Sequence, residues 1–138
     1  MTTSLNISVL GRPSPQGSKR HVGGGRFIEA SKYLPAWRKE ITTAAVKIMQ
    51  DEGWETIADP VHLEVVFYLE RPATIPQEKR PWPIKPPDLD KLVRGVCDGL
   101  TDAAVWTDDD LVVKLTASKQ YADTREPGAS IRIERFVT

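Results

Sequence analysis

The stretch of sequence that decides the fold runs from Leu89 to Ala104 and reads LDKLVRGVCDGLTDAA. Its apolar residues recur at three- and four-residue spacing, which is the pattern of an amphipathic helix with one face in a core. That face consists of Leu89, Leu92, Val93, Val96, Cys97, Leu100 and Ala103 or Ala104. Soon afterwards, Leu111 to Tyr121 alternates apolar and polar side chains as a strand does. A helix followed so closely by a strand indicates a helix packed on a sheet.

The same periodicities, followed outward, predict the remaining elements. The further expected strands are Ser4 to Leu10, Val61 to Leu69 and Ser130 to Phe136, and a second helix is expected from Lys32 to Asp51, just before Gly53. The order β-α-β-α-β-β predicts an α+β fold, with a mixed sheet and two helices packed on one of its faces. No internal boundary interrupts this order, so residues 1–138 are expected to form a single domain.

Two segments lack these periodicities. Glycine and proline punctuate Gly11 to Ser31, which predicts a long, mobile and basic loop. Arg71 to Pro87 contains six prolines, too many for regular structure. Between them these segments hold much of the basic charge of the chain.

Length and composition exclude several classes of protein. A chain of 138 residues with 40% hydrophobic and 28% charged residues can bury a core of its own. The single cysteine, Cys97, rules out an internal disulfide framework and fits a reducing compartment. The sequence contains no secretory signal, and no apolar run reaches the roughly 18 to 20 residues that span a bilayer. We therefore expect a soluble, cytoplasmic protein without a membrane partner.

The distribution of charge is more informative than the formal net charge of zero, which by itself argues against a nucleic-acid binder. The basic residues gather in two groups: Arg12, Lys19, Arg20, Arg26, Lys32, Arg38 and Lys39, then Arg71, Lys79, Arg80, Lys85, Lys91 and Arg94. The acids that follow are Asp98, Asp102, Asp108, Asp109 and Asp110. A basic surface beside an acidic pocket can hold a polyanion around bound cations. The alternative, ordinary solvated surface charge, stays open on composition alone.

The glycine-rich loop does not predict a nucleotide cofactor. A phosphate-binding P-loop has four residues between its first glycine and a Gly-Lys pair. Here five residues separate Gly11 from Gly17, and Ser18 stands before Lys19. Nucleotide binding is therefore rejected.

The candidate catalytic residues are carboxylates. Asp88 precedes the central helix and Asp90 lies in its first turn, and both are also typical of helix N-termini, where they cap the helix and favour its dipole. Arg94 follows Asp90 by four residues, a spacing that suits either a helix salt bridge or a cation that neutralises a phosphate. Trp106 to Asp110 adds three adjacent acids before the next strand. Since histidine and cysteine ligands are missing there, a bound metal would be Mg²⁺ or Mn²⁺.

Three blocks of sequence resemble the signature of the RusA family of Holliday junction resolvases. The blocks are Pro87-Asp88-Leu89-Asp90-Lys91-Leu92-Val93-Arg94, Cys97-Asp98-Gly99-Leu100 and Val105-Trp106-Thr107-Asp108-Asp109-Asp110-Leu111-Val112-Val113. The family reads Asp-x-Asp-Asn-Leu-x-Lys, then Asp-Ala-Leu, then an aromatic or apolar residue, Asp-Asp and a Val-rich strand. The spacing between blocks also agrees, which makes the match much more specific than any aspartate pair, and it is best from Lys85 to Val113.

The resemblance implies a homodimeric, Mg²⁺-dependent nuclease that cuts four-way DNA junctions by paired nicks. Its metal-binding and catalytic carboxylates would be Asp88, Asp90 and Asp109, with Asp108 as a neighbouring ligand. The family's catalytic lysine falls on Arg94, which can bind phosphate or offset transition-state charge but stays protonated and cannot act as a base. The residues expected to contact DNA phosphates are Arg12, Lys19, Arg20, Arg26, Lys85 and Lys91.

Two other functions remain open at this point: a less selective nuclease for branched DNA, and a non-catalytic DNA-binding module in which the acids only cap and turn the chain. Trp37, Trp106 and Cys97 are expected in the core. Trp82, between two prolines, could stack on an unpaired base at a junction, but packing within its loop is the favoured interpretation.

Overall fold

The computed structural model describes residues 3–17, 19–21, 27–29 and 32–136, and the side chains of all of these except 19–21 and 27–29. The strands are β1 (Ser4–Leu10), β2 (Lys19–His21), β3 (Phe27–Glu29), β4 (Val61–Leu69), β5 (Val112–Tyr121) and β6 (Gly128–Arg135). The helices are α1 (Leu34–Glu52) and α2 (Leu89–Asp102), and a short 3₁₀ turn spans Asp109–Leu111. In the described part of the chain, no helix is long and apolar enough to cross a membrane.

The main sheet has the strand order β1-β6-β4-β5. β4 and β5 run parallel, with α2 in the connection between them, while β6 is antiparallel to both β1 and β4. The predicted α+β fold with a mixed sheet is therefore confirmed, and the expected elements appear with ends shifted by two residues at most. One expectation was wrong: the supposed loop at Gly11 to Ser31 contains the β2–β3 pair, whose three-residue strands are too short to show alternation.

The core lies between the helices and one face of the sheet. Every second residue of β4, from Val61 to Leu69, is buried against it. Trp37 and Trp106 belong to this core at 2% and 1% exposure, as expected from the sequence. The opposite face of the sheet is more polar, and there the His62 ring lies 2.8 Å from the hydroxyl of Thr116 on β5. The helices thus cover one side of the sheet only.

The two helices come into close contact at Gly99. A Cβ on this residue would lie 2.7 Å from Cγ2 of Ile41, so only glycine fits without a shift of α1 against α2. The Thr42 hydroxyl on α1 donates to the Gly99 carbonyl at 2.9 Å. Arg38, also on α1, holds Asp102 with two hydrogen bonds of 2.5 and 3.0 Å. These contacts fix the position of α2, which carries the candidate site.

Both helices end in a Schellman motif, but only one uses glycine. Gly53 takes a φ of 66° after α1, where Trp54 N donates to Met49 O at 2.8 Å. After α2 the same role falls to Ala104 with a φ of 63°, and Val105 N donates to Leu100 O at 3.2 Å. A left-handed alanine costs about 1 kcal/mol or more relative to glycine. The end of α2 therefore stores strain.

We expect Ala104→Gly to stabilise the protein by about 0.5–1 kcal/mol, because the relief of left-handed strain exceeds the entropy that glycine adds to the unfolded chain. Urea unfolding followed by circular dichroism measures the change. Ala103→Gly is the matched control, since Ala103 has an ordinary helical φ of −77° and its replacement should destabilise. Equal losses of stability in both variants would contradict the assignment of strain to Ala104.

Candidate active site

The start of α2 presents two carboxylates to solvent. Asp88 occupies the N-cap position, with φ −69° and ψ 139°, but its side chain forms no cap hydrogen bond. Its nearest described charge is the Lys91 ammonium, 3.6 Å from Oδ2. Asp90 is exposed, and among the described residues no ion pair involves it. The capping role that the sequence offered as an alternative is therefore not performed by the Asp88 carboxylate.

Asp88 is positioned from the sheet by Lys119 on β5. The Lys119 ammonium donates to the carbonyl of Pro87 at 2.8 Å and to the carbonyl of Lys85 at 3.0 Å. Lys119 pairs in register with the buried Phe67 of β4, so it stands in the same phase as the inward side chains. Sequence reasoning did not single it out, although a lysine in the apolar phase of a strand was a usable signal.

Arg94 turns away from Asp90 toward the basic loop. A Cβ on Gly17 would lie 2.6 Å from Nη1 of Arg94, so the guanidinium rests directly against that glycine. The same loop is tied to α2 by a hydrogen bond of 3.0 Å from Gln16 N to Lys91 O. The helix salt bridge considered for Asp90 and Arg94 is absent from the ion pairs between described residues. The cation instead lies where the basic loop meets the helix.

The acidic turn before β5 is held by Trp106. Its buried indole donates from Nε1 to the Thr101 hydroxyl at 2.8 Å. On either side of it, Ile57 N donates to Val105 O at 3.2 Å and Thr107 N donates to Ile57 O at 3.0 Å. The Asp108 carboxylate then accepts a hydrogen bond of 2.7 Å from Asp109 N and caps the 3₁₀ turn. Asp108 thus has a structural partner.

Electrostatics distinguish Asp109 from its neighbours. Partial desolvation raises its pKa above the usual range, and the hydrogen bond and charge of Asp108, with the charges of Asp98 and Asp110, raise it further. Burial, followed by the charges of Asp109 and Asp98, raises the pKa of Cys97 to about 12. Cys97 is therefore a protonated, partly buried thiol and not a nucleophile. A cation near Asp109 would relieve this crowding of negative charge.

Asp98 is a neighbour of Asp109 that the sequence prediction left out of the site. Its side chain is 34% exposed, and Nη1 of Arg38 lies 3.9 Å from its Oδ2. Asp98 follows Asp90 by eight residues on the same helix, a spacing that already placed both on one face. Its proximity to Asp109 depends on how β5 returns along α2, which periodicity alone does not show.

The described residues do not form a ready-made metal cage. No group of three or more His, Cys, Asp or Glu side chains in that part of the chain is arranged to hold a metal ion. Asp88, Asp90 and Asp109 are thus not gathered into one complete ligand set. Mg²⁺ commonly uses only one or two carboxylates and completes its shell with water and substrate phosphate. The purely oxygen donors of both carboxylate groups fit such an ion.

The predicted DNA contacts fall into two classes. Arg12 is exposed, with its guanidinium 3.8 Å from the centroid of the Tyr33 ring, and Lys85 is exposed beside Asp88. Lys91 is the half-buried partner of Asp88. The side chains of Lys19 and Arg20, on β2, and the whole of Arg26 lie outside the described residues. The cations that the structure does describe flank the start of α2.

A comparison with protein families decides the relationship that the motif blocks suggested. The family described as endodeoxyribonuclease RusA matches residues 11–134, which include both carboxylate groups and nearly the whole fold. The chain belongs to the RusA family. It is also similar to a curated relative, the uncharacterized protein YqaN of Bacillus subtilis (strain 168), with 29% identity over 139 residues that cover 94% of each chain. The RusA family is one of endodeoxyribonucleases, enzymes that hydrolyse phosphodiester bonds in DNA.

Proposed function

We propose that this RusA-family chain is a Mg²⁺-dependent, structure-specific endonuclease that resolves four-way DNA junctions by paired, symmetric nicks. The observation that carries the proposal is the Asp88 carboxylate, which occupies the cap position of α2 without capping it and faces the Lys91 ammonium instead, beside Asp90, for which the described residues provide no ion pair. A helix N-terminus that needed these acids only for stability would use the Asp88 side chain as a cap. Its family membership supplies the reaction class.

Each side chain near the start of α2 has a distinct expected role. Asp88 and Asp90 would hold the metal on one side, and Asp109 would contribute from the turn before β5. When bound, Mg²⁺ supplies an activated water and stabilises the leaving oxygen. Arg94 and Lys91 would bind the phosphate flanking the cut and offset its charge, and Arg94 cannot serve as a base because it stays protonated. Asp108 would act mainly through the turn that it caps.

The separation of Asp88 and Asp90 from Asp109 favours a metal ion whose coordination shell is completed by oxygen atoms of the bound DNA. Because the described residues offer no three-ligand cage, the scissile phosphate would provide coordination that the chain lacks. Metal binding would then be weak without DNA and tighter with it. Such coupling restricts hydrolysis to DNA that is correctly seated.

We also propose a homodimer, since two symmetric nicks are most simply made by two sites related by a two-fold axis. The outer edge of β5 is unpaired in the described sheet, and it exposes Val113 at 65% and Leu115 at 50%. Exposed apolar edges of this kind are usually covered. A second copy of the chain would cover this one.

The proposal is tested by cleavage of three DNA substrates of equal length in Mg²⁺: a mobile four-way junction, a Y-shaped fork and a plain duplex. Junctions should be nicked at symmetric positions in opposite strands, at least about tenfold faster than either other substrate. Equal rates on all three would favour the less selective nuclease. Binding without cleavage in either Mg²⁺ or Mn²⁺ would favour the non-catalytic module.

A further inference from the structure

The tip of the proline-rich segment exposes apolar surface that nothing in the described chain covers. Trp82 is 62% exposed and Ile84 is 75% exposed, while Pro83 between them is buried. The expectation that Trp82 packs within its own loop was therefore wrong. The three other tryptophans are buried, at 2% for Trp37, 7% for Trp54 and 1% for Trp106. The exposure of Trp82 is exceptional for this chain.

Both ends of the tip, here defined as residues 80–85, are held by hydrogen bonds from side chains on β5 or just after β4. At one end, Nη1 of Arg71 donates to the carbonyl of Arg80 at 2.6 Å, and the rest of its guanidinium is held by Asp123 at 2.8 and 3.0 Å. At the other end, the Lys119 ammonium donates to the carbonyl of Lys85 at 3.0 Å. Trp82 therefore projects from a segment that is held at both ends by hydrogen bonds, although the segment forms no helix or strand.

The charge around the tip indicates what would cover it. Lys79 and Lys85 are exposed and Arg80 is half-exposed on either side of Trp82. Among the described side chains, none of these three cations takes part in an ion pair. An aromatic face flanked in the chain by cations that no described acid pairs with matches a nucleobase with its flanking phosphates. An apolar protein partner would require those cations to be desolvated.

The position of the tip relates it to the candidate site. Lys119 bonds the carbonyl of Lys85, where the tip ends, and the carbonyl of Pro87, which precedes Asp88. The Lys119 ammonium group thus holds the backbone at the end of the tip and the backbone just before Asp88, and so fixes their positions relative to each other. A base held by Trp82 would belong to DNA that also reaches the start of α2.

We propose that Trp82 is a stacking platform for an unpaired nucleobase in branched DNA. The inference deepens the proposed function and rests on it, since a four-way junction offers unstacked bases at its centre whereas a duplex does not. Trp82 supplies the π-face, and Lys79, Arg80 and Lys85 bind the adjoining phosphates. The tip thereby recognises DNA structure without reading sequence.

The test measures binding with Ca²⁺ in place of Mg²⁺ to limit cleavage, using a four-way junction, a duplex of equal length and oligothymidylate. Trp82→Ala should weaken binding to the junction and to oligothymidylate by roughly 5- to 150-fold, the range that base–aromatic stacking supports. Duplex affinity should change less than about twofold. Trp82→Phe should retain most of the affinity, and Phe136→Ala, which removes an aromatic ring that is 41% exposed outside the tip, should match the native chain.

Intrinsic fluorescence gives a second readout of the same contact. Because the other tryptophans are buried, oligothymidylate should quench mainly Trp82, and Trp82→Phe should abolish that quenching. An equal loss of affinity for duplex and junction, or no loss for either, would overturn the proposal, as would a Trp82→Ala variant whose main change is dissociation of an oligomer. If the native chain shows no junction preference but Trp82 is still quenched, the resolvase function fails and the stacking platform stands.

Discussion

Asp90→Asn is expected to lower the rate constant for junction cleavage by about a hundred- to a thousandfold while leaving junction affinity within a few-fold of the native value. Replacing this carboxylate by an amide would remove a charged oxygen ligand from the proposed metal site and leave the shape of the helix start intact. The magnitude is that of losing one electrostatic contact to a developing charge in a preorganised site. Single-turnover cleavage in Mg²⁺ and a gel-shift titration in Ca²⁺ measure the two quantities.

Three further variants sharpen this prediction. Asp109→Asn should cause a loss of similar size, because the proposed metal site draws on both carboxylate groups. Asp108→Asn should cost less, since an asparagine oxygen can still accept the hydrogen bond from Asp109 N. Asp51→Asn is the control: it makes the same change of charge at the far end of α1, where Asp51 pairs with Lys47 at 3.1 Å. Unchanged cleavage in Asp90→Asn would remove the case for catalysis at α2.

Lys119→Met is expected to lower the cleavage rate constant by about a hundredfold. The ammonium fixes the carbonyls of Pro87 and Lys85, so its removal lets the start of α2 shift, and a displacement of about 1 Å in a catalytic group can cost this much. Junction affinity should fall only several-fold, because Arg71 still holds the other end of the tip. The Mg²⁺ concentration for half-maximal rate should rise.

A large loss of cleavage rate with a small loss of junction affinity would show that Lys119 positions the start of α2, and does not only stabilise the fold. Lys119→Arg should restore part of the rate, since a guanidinium can still donate to two carbonyls. Lys114→Met is the matched control, because Lys114 lies on the same strand, where it is in register with His62 of β4, and its side chain is exposed. A Lys119→Met protein that only unfolds at lower temperature, with native kinetics in the cold, would show that Lys119 merely stabilises the fold.

Local periodicity accounted for most of the architecture. β4 occupies the residues that the alternation of Val61 to Leu69 predicted, and α2 begins at Leu89 as its apolar stripe indicated. The β2–β3 pair was not predicted, because strands of three residues are too short to show an alternation of apolar and polar side chains. The end of α2 was predicted two residues too late, because the left-handed backbone that ends the helix falls on Ala104, and an alanine gives no sequence signal for such a turn.

The candidate site was predictable in its residues and not in their arrangement. The acids Asp88, Asp90 and Asp109 stood out by type and spacing, but the sequence could not show that the Asp88 side chain leaves its cap position unused. Nor could it show that Arg94 lies against Gly17, because this contact depends on how the basic loop folds back on α2. Lys119 acts across 32 residues of sequence on Pro87, a distance at which local patterns carry no information.

The hydrogen bonds that hold the Trp82 tip affect how its sequence can change among relatives of this chain. Arg71 and Lys119 donate hydrogen bonds to the carbonyl oxygens of Arg80 and Lys85, and every amino acid carries the same backbone carbonyl. The residues between these two points can therefore be exchanged without loss of either hydrogen bond. Selection could replace Trp82, alter the charges around it or lengthen the protrusion, and so change which DNA structures the proposed platform binds, while the proposed catalytic carboxylates at the start of α2 stay the same.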